Sequence, residues 1–208
     1  MKFSKPKISN CESKKLIDCI EENEFYNGYF NEIIDEGLNL SLITFDSCIF
    51  DGIDFNKVKL DRINLIDVIF KNCDLSNQNF DKQLLSRVVF ENCKLMGTSF
   101  ISSSLKDVEF NNSNCKYMNL SCAKINNLRL IDSNFSEATF SECNIKNVVF
   151  KNVEFCRTEF LRVNLKNIDF SESDIDGIMF DKKSLEGIII NRFQSHSIVE
   201  MFGVQIKD

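Results

Sequence analysis

Phe70-Lys71-Asn72-Cys73-Asp74-Leu75-Ser76-Asn77 and, twenty residues later, Phe90-Glu91-Asn92-Cys93-Lys94-Leu95-Met96-Gly97 carry one pattern. A large apolar residue stands at every fifth position, a small one two places before it, and Asn or Gly two places after it. Stepping by five from Leu40 to Ile190 meets 31 apolar residues without a miss, and 15 of the 20 Phe lie on this ladder. A period of five matches neither a helix at 3.6 nor a strand at 2. It is the signature of a solenoid, whose short repeats bury a core only by stacking.

The positions within the repeat differ in chemistry. The residue two before each centre (Cys48, Cys73, Val88, Cys93, Val108, Ala123, Val153) shares the centre's parity on an extended backbone and faces inward. The residues flanking the centre are mostly polar and face water. Two places after the centre, 15 of 31 residues are Gly, Asn or Asp, and all four Gly between residues 38 and 192 fall there. These residues tolerate positive φ, so this position is a corner. Every fourth centre falls in one column: Phe50, Phe70, Phe90, Phe110, Leu130, Phe150, Phe170, Ile190. A stacking interval of 20 residues means four pentapeptides per coil and a square cross-section. With coils ~4.8 Å apart the rod is roughly 37 Å long, and its interior is one file of side chains with no room for a buried substrate.

The chain resembles the pentapeptide-repeat proteins over about residues 38–192, on the strength of the two runs quoted above and the unbroken ladder. The resemblance implies an all-β fold, a right-handed quadrilateral β-helix with short terminal helices. Five residues depart from the pattern at the small inward position: Gln78, Gln83, Met118, Leu128 and Lys183. The preferred expectation is that these side chains turn outward at local irregularities; the alternative is a polar site.

Three segments follow. Residues 1–37 form an N-terminal cap, since an open β-helix end exposes unpaired backbone and aromatic core. Ser9 and Glu12 read as a capping box, with a helix over about 10–22 carrying Leu16, Ile17 and Ile20. Phe25 and Phe30 sit on the five-residue frame, as an irregular first coil would place them, and Asp35 breaks it. Residues 38–192 are the rod, without a protruding loop. Residues 193–208 form a C-terminal helix and tail: Asn191 and Gln194 resemble a capping box, and Phe193, Ile198, Met201 and Phe202 have the spacing of one helical face. In the resembling family such a helix pairs two rods end to end. It implies a homodimer with Phe193, Ile198, Met201, Phe202 and Val204 at the joint; a cap on a monomer is the alternative.

The chain has 31 Asp plus Glu against 25 Lys plus Arg, which argues against direct nucleic-acid binding through a basic face. The N-terminal residues lack an apolar run of signal length and no 18-residue apolar stretch occurs, so a cytoplasmic protein without membrane association is expected. Nine Cys show neither metal nor disulfide spacing and read as core filler in a reducing compartment; Cys122 and Cys156, at outward or corner positions, read as incidental thiols, with reactive thiols as the alternative. With a single His (His196) and no phosphate-binding Gly motif, nothing points to catalysis, a metal or a cofactor.

Two outward columns are candidate partner surfaces. Ile49, Ile69, Val89, Glu109, Arg129, Val149, Asp169 and Ile189 make a partly apolar strip, either a partner surface or β-branched residues suited to a sheet face. Asp54, Asp74, Lys94, Asn114, Asn134, Glu154 and Asp174 make a column acidic at both ends, either a binding face or a solvated one. The regular rod and its C-terminal end resemble the Qnr and MfpA group from Gram-positive bacteria. That resemblance implies a DNA mimic that binds type II topoisomerases, DNA gyrase or topoisomerase IV, and protects gyrase from quinolones. Immunity to a gyrase-poisoning peptide would share that mechanism. Residues 38–192 carry 21 acidic and 19 basic residues, so mimicry requires the charges to segregate. An interaction scaffold using the Ile49–Ile69–Val89 strip is the alternative.

Overall fold

In the computed structural model, which describes residues 3–34 and 36–205, the five-residue frame becomes a parallel β-helix with four faces. The elements in order are β1 (Glu12–Ser13), α1 (Leu16–Glu22), β2 (Gly28–Phe30), β3 (Thr44–Asp51), a 3-10 turn (Phe55–Lys57), β4 (Asn64–Lys71), β5 (Leu84–Glu91), β6 (Ser104–Asn111), β7 (Lys124–Ile131), β8 (Asn144–Lys151), β9 (Glu159–Phe160), β10 (Met179–Phe180), α2 (Lys182–Leu185) and α3 (Ser195–Glu200). β1 to β8 form one parallel sheet in sequence order, and β9 pairs with β10. From β3 to β8 every Cα partner is 20 residues away, as Phe50↔Phe70 and Phe70↔Phe90 show.

Each strand from β3 to β8 covers two faces. It bends between them at a residue with positive φ (Ser47, Asp67, Arg87, Asp107, Asn127, Asn147) that is skipped in the pairing register. The other two faces carry single bridges, such as Asp54↔Asp74↔Lys94 and Asn79↔Ser99↔Asn119. Their corners close through an i→i+3 bond, Gln78 N–H to Leu75 O and Gln83 N–H to Phe80 O, with positive φ at Asn77 and Lys82, the geometry of a type II turn. Of the 31 corner positions, 27 have positive φ, including Leu42, Tyr117, Cys122 and Arg157. The frame, rather than the residue type, therefore sets the corner. Each coil's backbone bonds outweigh the ~1–2 kcal/mol that a left-handed non-Gly residue costs.

The interior is filled by the ladder. Of its 31 residues 28 are buried; Ile145, Leu185 and Ile190 are half-buried. Phe30, Phe50, Phe70, Phe90 and Phe110 stack with centroids 4.9–5.1 Å apart and planes within 16°. Rings from other faces meet this stack edge-on, as Phe100 does Phe90 at 6.4 Å. The second inward position is tied to the coil below: Cys73 Sγ donates to Phe50 O, Cys93 Sγ to Phe70 O, and Thr98 Oγ1 to Leu75 O.

Several sequence expectations are corrected. Gln83, Met118 and Leu128 are buried rather than turned outward. Gln78 is half-buried, and its side-chain amide donates to Phe55 O, the place in the coil below that Thr98 and Cys73 use in theirs. The slot accepts a longer side chain when it is apolar or reaches a backbone carbonyl, Phe55 O of the coil below for Gln78 and Asn79 O of its own coil for Gln83. Lys183 does face outward, because α2 replaces the repeat there and Ser184 takes the inward place, its Oγ accepting from Val163 N–H. At the N-terminus no Ser9–Glu12 capping box forms. Glu12 and Ser13 pair in parallel with Gly28 and Tyr29, the helix starts only at Leu16, and its first amide donates to Glu32 Oε1 at 2.5 Å. Sheet pairing of an edge outcompetes a local cap. Phe25 and Phe30 are buried and continue the ladder below Phe45 and Phe50; Asp35, expected to break it, lies outside the described residues.

Candidate functional site

A filled core leaves function to the exterior. The surface depressions are shallow and lined by outward side chains of successive coils, for example Ser104, Lys106, Lys124, Asn126, Asn144 and Lys146 on one face. Among the described residues no cluster of three or more His, Cys, Asp or Glu has a metal-binding arrangement, and no helix is long and apolar enough to cross a membrane. His196 pairs with Glu200 at 3.0 Å on the exposed side of α3.

Ile49, Ile69 and Val89 stack one above another as expected, but they are half-buried, whereas Val149 and Ile189 farther along the column are exposed. An N-terminal arm runs along the corner beside the first three. Ser4 N–H donates to Asp107 Oδ1 (3.1 Å), Lys7 N–H to Asp67 Oδ1 (2.8 Å), and Cys11 Sγ to Ser47 O (3.2 Å). The Phe3 ring lies 5.2 Å from the Arg129 guanidinium, which pairs with Glu109 at 3.1 Å. Asp67 also takes both ends of the Arg87 fork, at 2.5 and 2.7 Å. Burial pushes the Asp67 carboxyl up, but the Arg87 fork and the Lys7 amide outweigh it and hold the group below the usual range. The amphipathic pattern of the arm, with Ser4, Pro6 and Ile8 half-buried and Lys5 and Lys7 exposed, was not recognised in the sequence; alternation of Lys with apolar residues was the available signal.

The column Asp54, Asp74, Lys94, Asn114, Asn134, Glu154, Asp174 is a continuous ladder of bridges. At its first end charge is absorbed locally. Asp54 caps the 3-10 turn through Asn56 N–H, and Asp74 lies 3.7 Å from Lys94. Most ion pairs are stacked this way at an interval of 20: Lys71–Glu91, Arg87–Asp67, Arg129–Glu109, Arg157–Glu137 and Arg162–Glu142. At the other end the balance fails. Residues 38–151 carry 13 acidic and 13 basic residues, while 152–181 carry seven acidic against three basic. Arg157 and Arg162 are engaged by Glu137 and Glu142 of the preceding coil. Glu154, Glu172, Asp174 and Asp176 are exposed and, among the described residues, have no cation within ion-pair distance. Their field is felt by Cys156, whose thiol donates to Asp174 Oδ2 at 3.4 Å; burial first, then Asp174, Asp176 and Glu154, push it above its ordinary value. A raised thiol forms less of the reactive thiolate than an ordinary Cys. The segregation runs coil by coil, whereas each of the two candidate columns mixes both signs.

The C-terminal residues split between two sides. Asn191 and Gln194 form the reciprocal cap: Asn191 N–H donates to Gln194 Oε1 (2.8 Å) and Gln194 N–H to Asn191 Oδ1 (3.1 Å). Gln194 Nε2 also donates to Phe170 O and Ser173 O, closing the rod's end. Ile198 and Met201 pack on the core, whereas Phe193, Phe202 and Val204 are 83, 64 and 50% exposed. The five residues therefore do not share one face. α3 spans only Ser195–Glu200, so Phe193 precedes it and Phe202 and Val204 follow it, freed from helical periodicity.

A solved structure of trypsin-treated QnrB1, a plasmid-mediated fluoroquinolone resistance protein, is 20% identical over 87% of this chain and 100% of that chain, with a TM-score of 0.40. Full-length QnrB1 is 20% identical over 86% of this chain and 89% of its own, with a TM-score of 0.41. HetL, involved in heterocyst differentiation regulation in the cyanobacterium Nostoc sp. strain PCC 7120, is 13% identical over 84% of this chain and 95% of that one, with a TM-score of 0.36. None of the curated proteins compared matches this sequence. The family model described as a pentapeptide repeat region matches residues 63–130, and that of pentapeptide repeats (8 copies) matches 39–77, 114–155 and 133–172. With well over half its length covered by these models, the chain belongs to the pentapeptide-repeat family.

Proposed function

We propose that this protein is a non-enzymatic binding rod which acts as a dimer and places its acidic coils in a DNA-binding site of a type II topoisomerase, DNA gyrase above all or topoisomerase IV, so protecting it from quinolones. The observation that carries the reading is the segregation of charge. Residues 38–151 carry equal numbers of acidic and basic residues, and Glu154, Glu172, Asp174 and Asp176 lie without cationic partners among the described residues, just before the end that exposes Phe193, Phe202 and Val204. Joining two copies there brings both acidic zones to the middle of a doubled rod. Duplex DNA carries a charge every ~1.7 Å, so a site built for it favours a surface where carboxylates are concentrated over one where they are paired.

The test is gyrase supercoiling with the purified protein, with and without a quinolone. Rescue of supercoiling under drug is expected, weakened severalfold in Asp174→Lys/Asp176→Lys and in Phe202→Glu, the latter eluting as a folded monomer. Rescue undiminished by charge reversal would refute mimicry; Phe202→Glu with unchanged mass would refute the joint. A second reading, an interaction scaffold for an unrelated protein partner, is favoured by the arm laid beside Ile49, Ile69 and Val89, since that corner holds an extended peptide.

A further inference from the structure

We propose that the corner formed by Asp67, Arg87 and Asp107, flanked by Glu109 and the Ile49–Ile69–Val89 strip, is a docking surface for an extended, lysine-bearing polypeptide segment of a partner protein, with the N-terminal arm as its built-in competitor. It stands apart from the topoisomerase reading, which uses the C-terminal coils.

The arm lies along the rod axis, across the coils. Between Lys7 and Ser4 it advances three residues, ~10 Å of extended chain, while its anchors Asp67 and Asp107 are two coils apart, ~9.6 Å. A segment in that direction cannot join the backbone ladder, whose hydrogen bonds themselves run along the axis. Its amides need side-chain acceptors, and two carboxylates supply them from 5 and 3% exposure. Their availability follows from the fold, because the bend residues are skipped in the pairing register. The corner column reads Asp67, Arg87, Asp107 where the arm is anchored, with Asn127 Nδ2 donating to Asp107 Oδ1, and Asn147 and Asn167 farther along the rod. The left-handed bend is the same in both halves, so turn geometry does not demand the acids; an amide-bearing, cationic ligand does. Lys5 and Lys7 give the arm that charge, and Ser4, Pro6 and Ile8 turn inward while Lys5 and Lys7 turn out. Recognition uses backbone amides and alternation, so a foreign segment of the same chemistry satisfies it. Tethering gives the arm an effective concentration of order mM, which an incoming segment has to overcome.

The test uses the full chain, uniformly labelled with nitrogen-15, and the synthetic peptide Met-Lys-Phe-Ser-Lys-Pro-Lys-Ile-Ser-Asn. At millimolar peptide the Ser4 and Lys7 amide resonances should move to free-chain positions, and this should weaken with salt. Resonances that stay in place overturn the proposal. A chain lacking residues 2–10 should bind the peptide at least tenfold more tightly than the full chain, and Asp67→Asn/Asp107→Asn in that background should abolish binding. Equal affinity for both chains, or no binding by a truncated chain with native circular dichroism, refutes it. Intermolecular Overhauser contacts between labelled and unlabelled full chains would make a second copy the occupant and refute the partner reading.

Discussion

Replacing Phe90 by Ala tests the stacked core at its most constrained point. Phe90 is fully buried between Phe70 at 5.1 Å and Phe110 at 4.9 Å. An aromatic side chain buries at least about 150 Å², worth nearly 4 kcal/mol at about 25 cal/mol/Å². The two ring contacts add about 1 kcal/mol, and the Ala methyl returns a similar amount. Collapse of the cavity is blocked, because the hydrogen-bonded ladder of β4, β5 and β6 holds the coils at their spacing. The cost is therefore about 4 kcal/mol, in the middle of the range for such truncations. With a urea m-value of about 2 kcal/mol/M, the midpoint should fall by about 2 M when followed by far-UV circular dichroism. Phe90→Leu, which imitates Leu130 of the same column, should lose under about 1.5 kcal/mol. Phe90→Asp should not fold, since it puts a charge inside the stack. A midpoint shift below about 0.5 M for Phe90→Ala, with m unchanged, would show that the column is not under the tension of fixed spacing and would refute the reasoning.

Other consequences are equally direct. Leu42 is 69% exposed at a corner with φ 65°, so its side chain gains little from packing and pays for the left-handed region. Leu42→Gly should raise the melting temperature by about 2 °C, the ~1–2 kcal/mol of relief exceeding the ~0.5–1 kcal/mol of extra chain entropy; a lower melting temperature would contradict this. For the arm, the depressed carboxyl of Asp67 means that its stabilising contribution is present above the unfolded value of about 3.9 and is lost as pH falls through the lower folded value. The Lys7 amide resonance should therefore titrate with a midpoint below about 3.9 and lose that step in Asp67→Asn. A midpoint at or above about 3.9 would show that Arg87 and the arm do not stabilise the carboxylate.

How much was legible differs between parts of the chain, for a physical reason. Inside the rod every residue's environment is dictated by neighbours 20 positions away in an identical frame. Periodicity alone therefore predicts the stacking of Phe50 on Phe70, the corners at Asn72 and Asn92, and the bridge ladder from Asp54 to Asp174. An odd residue in the frame is less predictable. An amide in a core is costly, which places Gln78 and Gln83 outside, yet Gln78 finds Phe55 O of the coil below, a partner visible only once the coils are stacked, and Gln83 donates to Asn79 O of its own coil while its Oε1 stays buried without a partner among the described residues.

At the ends, local signals competed with contacts from afar. The Asn191–Gln194 cap formed because both partners are near in sequence and the rod's last carbonyls hold Gln194 in place. The Ser9–Glu12 cap did not, because β2 offered Glu12 and Ser13 a sheet edge instead. The five-residue repeat alone dictates the β-helix, its four faces, its corners and the columns on its exterior, since stacking coils of four repeats is what buries 31 apolar residues. Which columns stay open depends on contacts between segments far apart in the chain. The arm is joined to Asp67 and Asp107 across 60 and 103 residues, and no periodicity encodes a contact that occurs once.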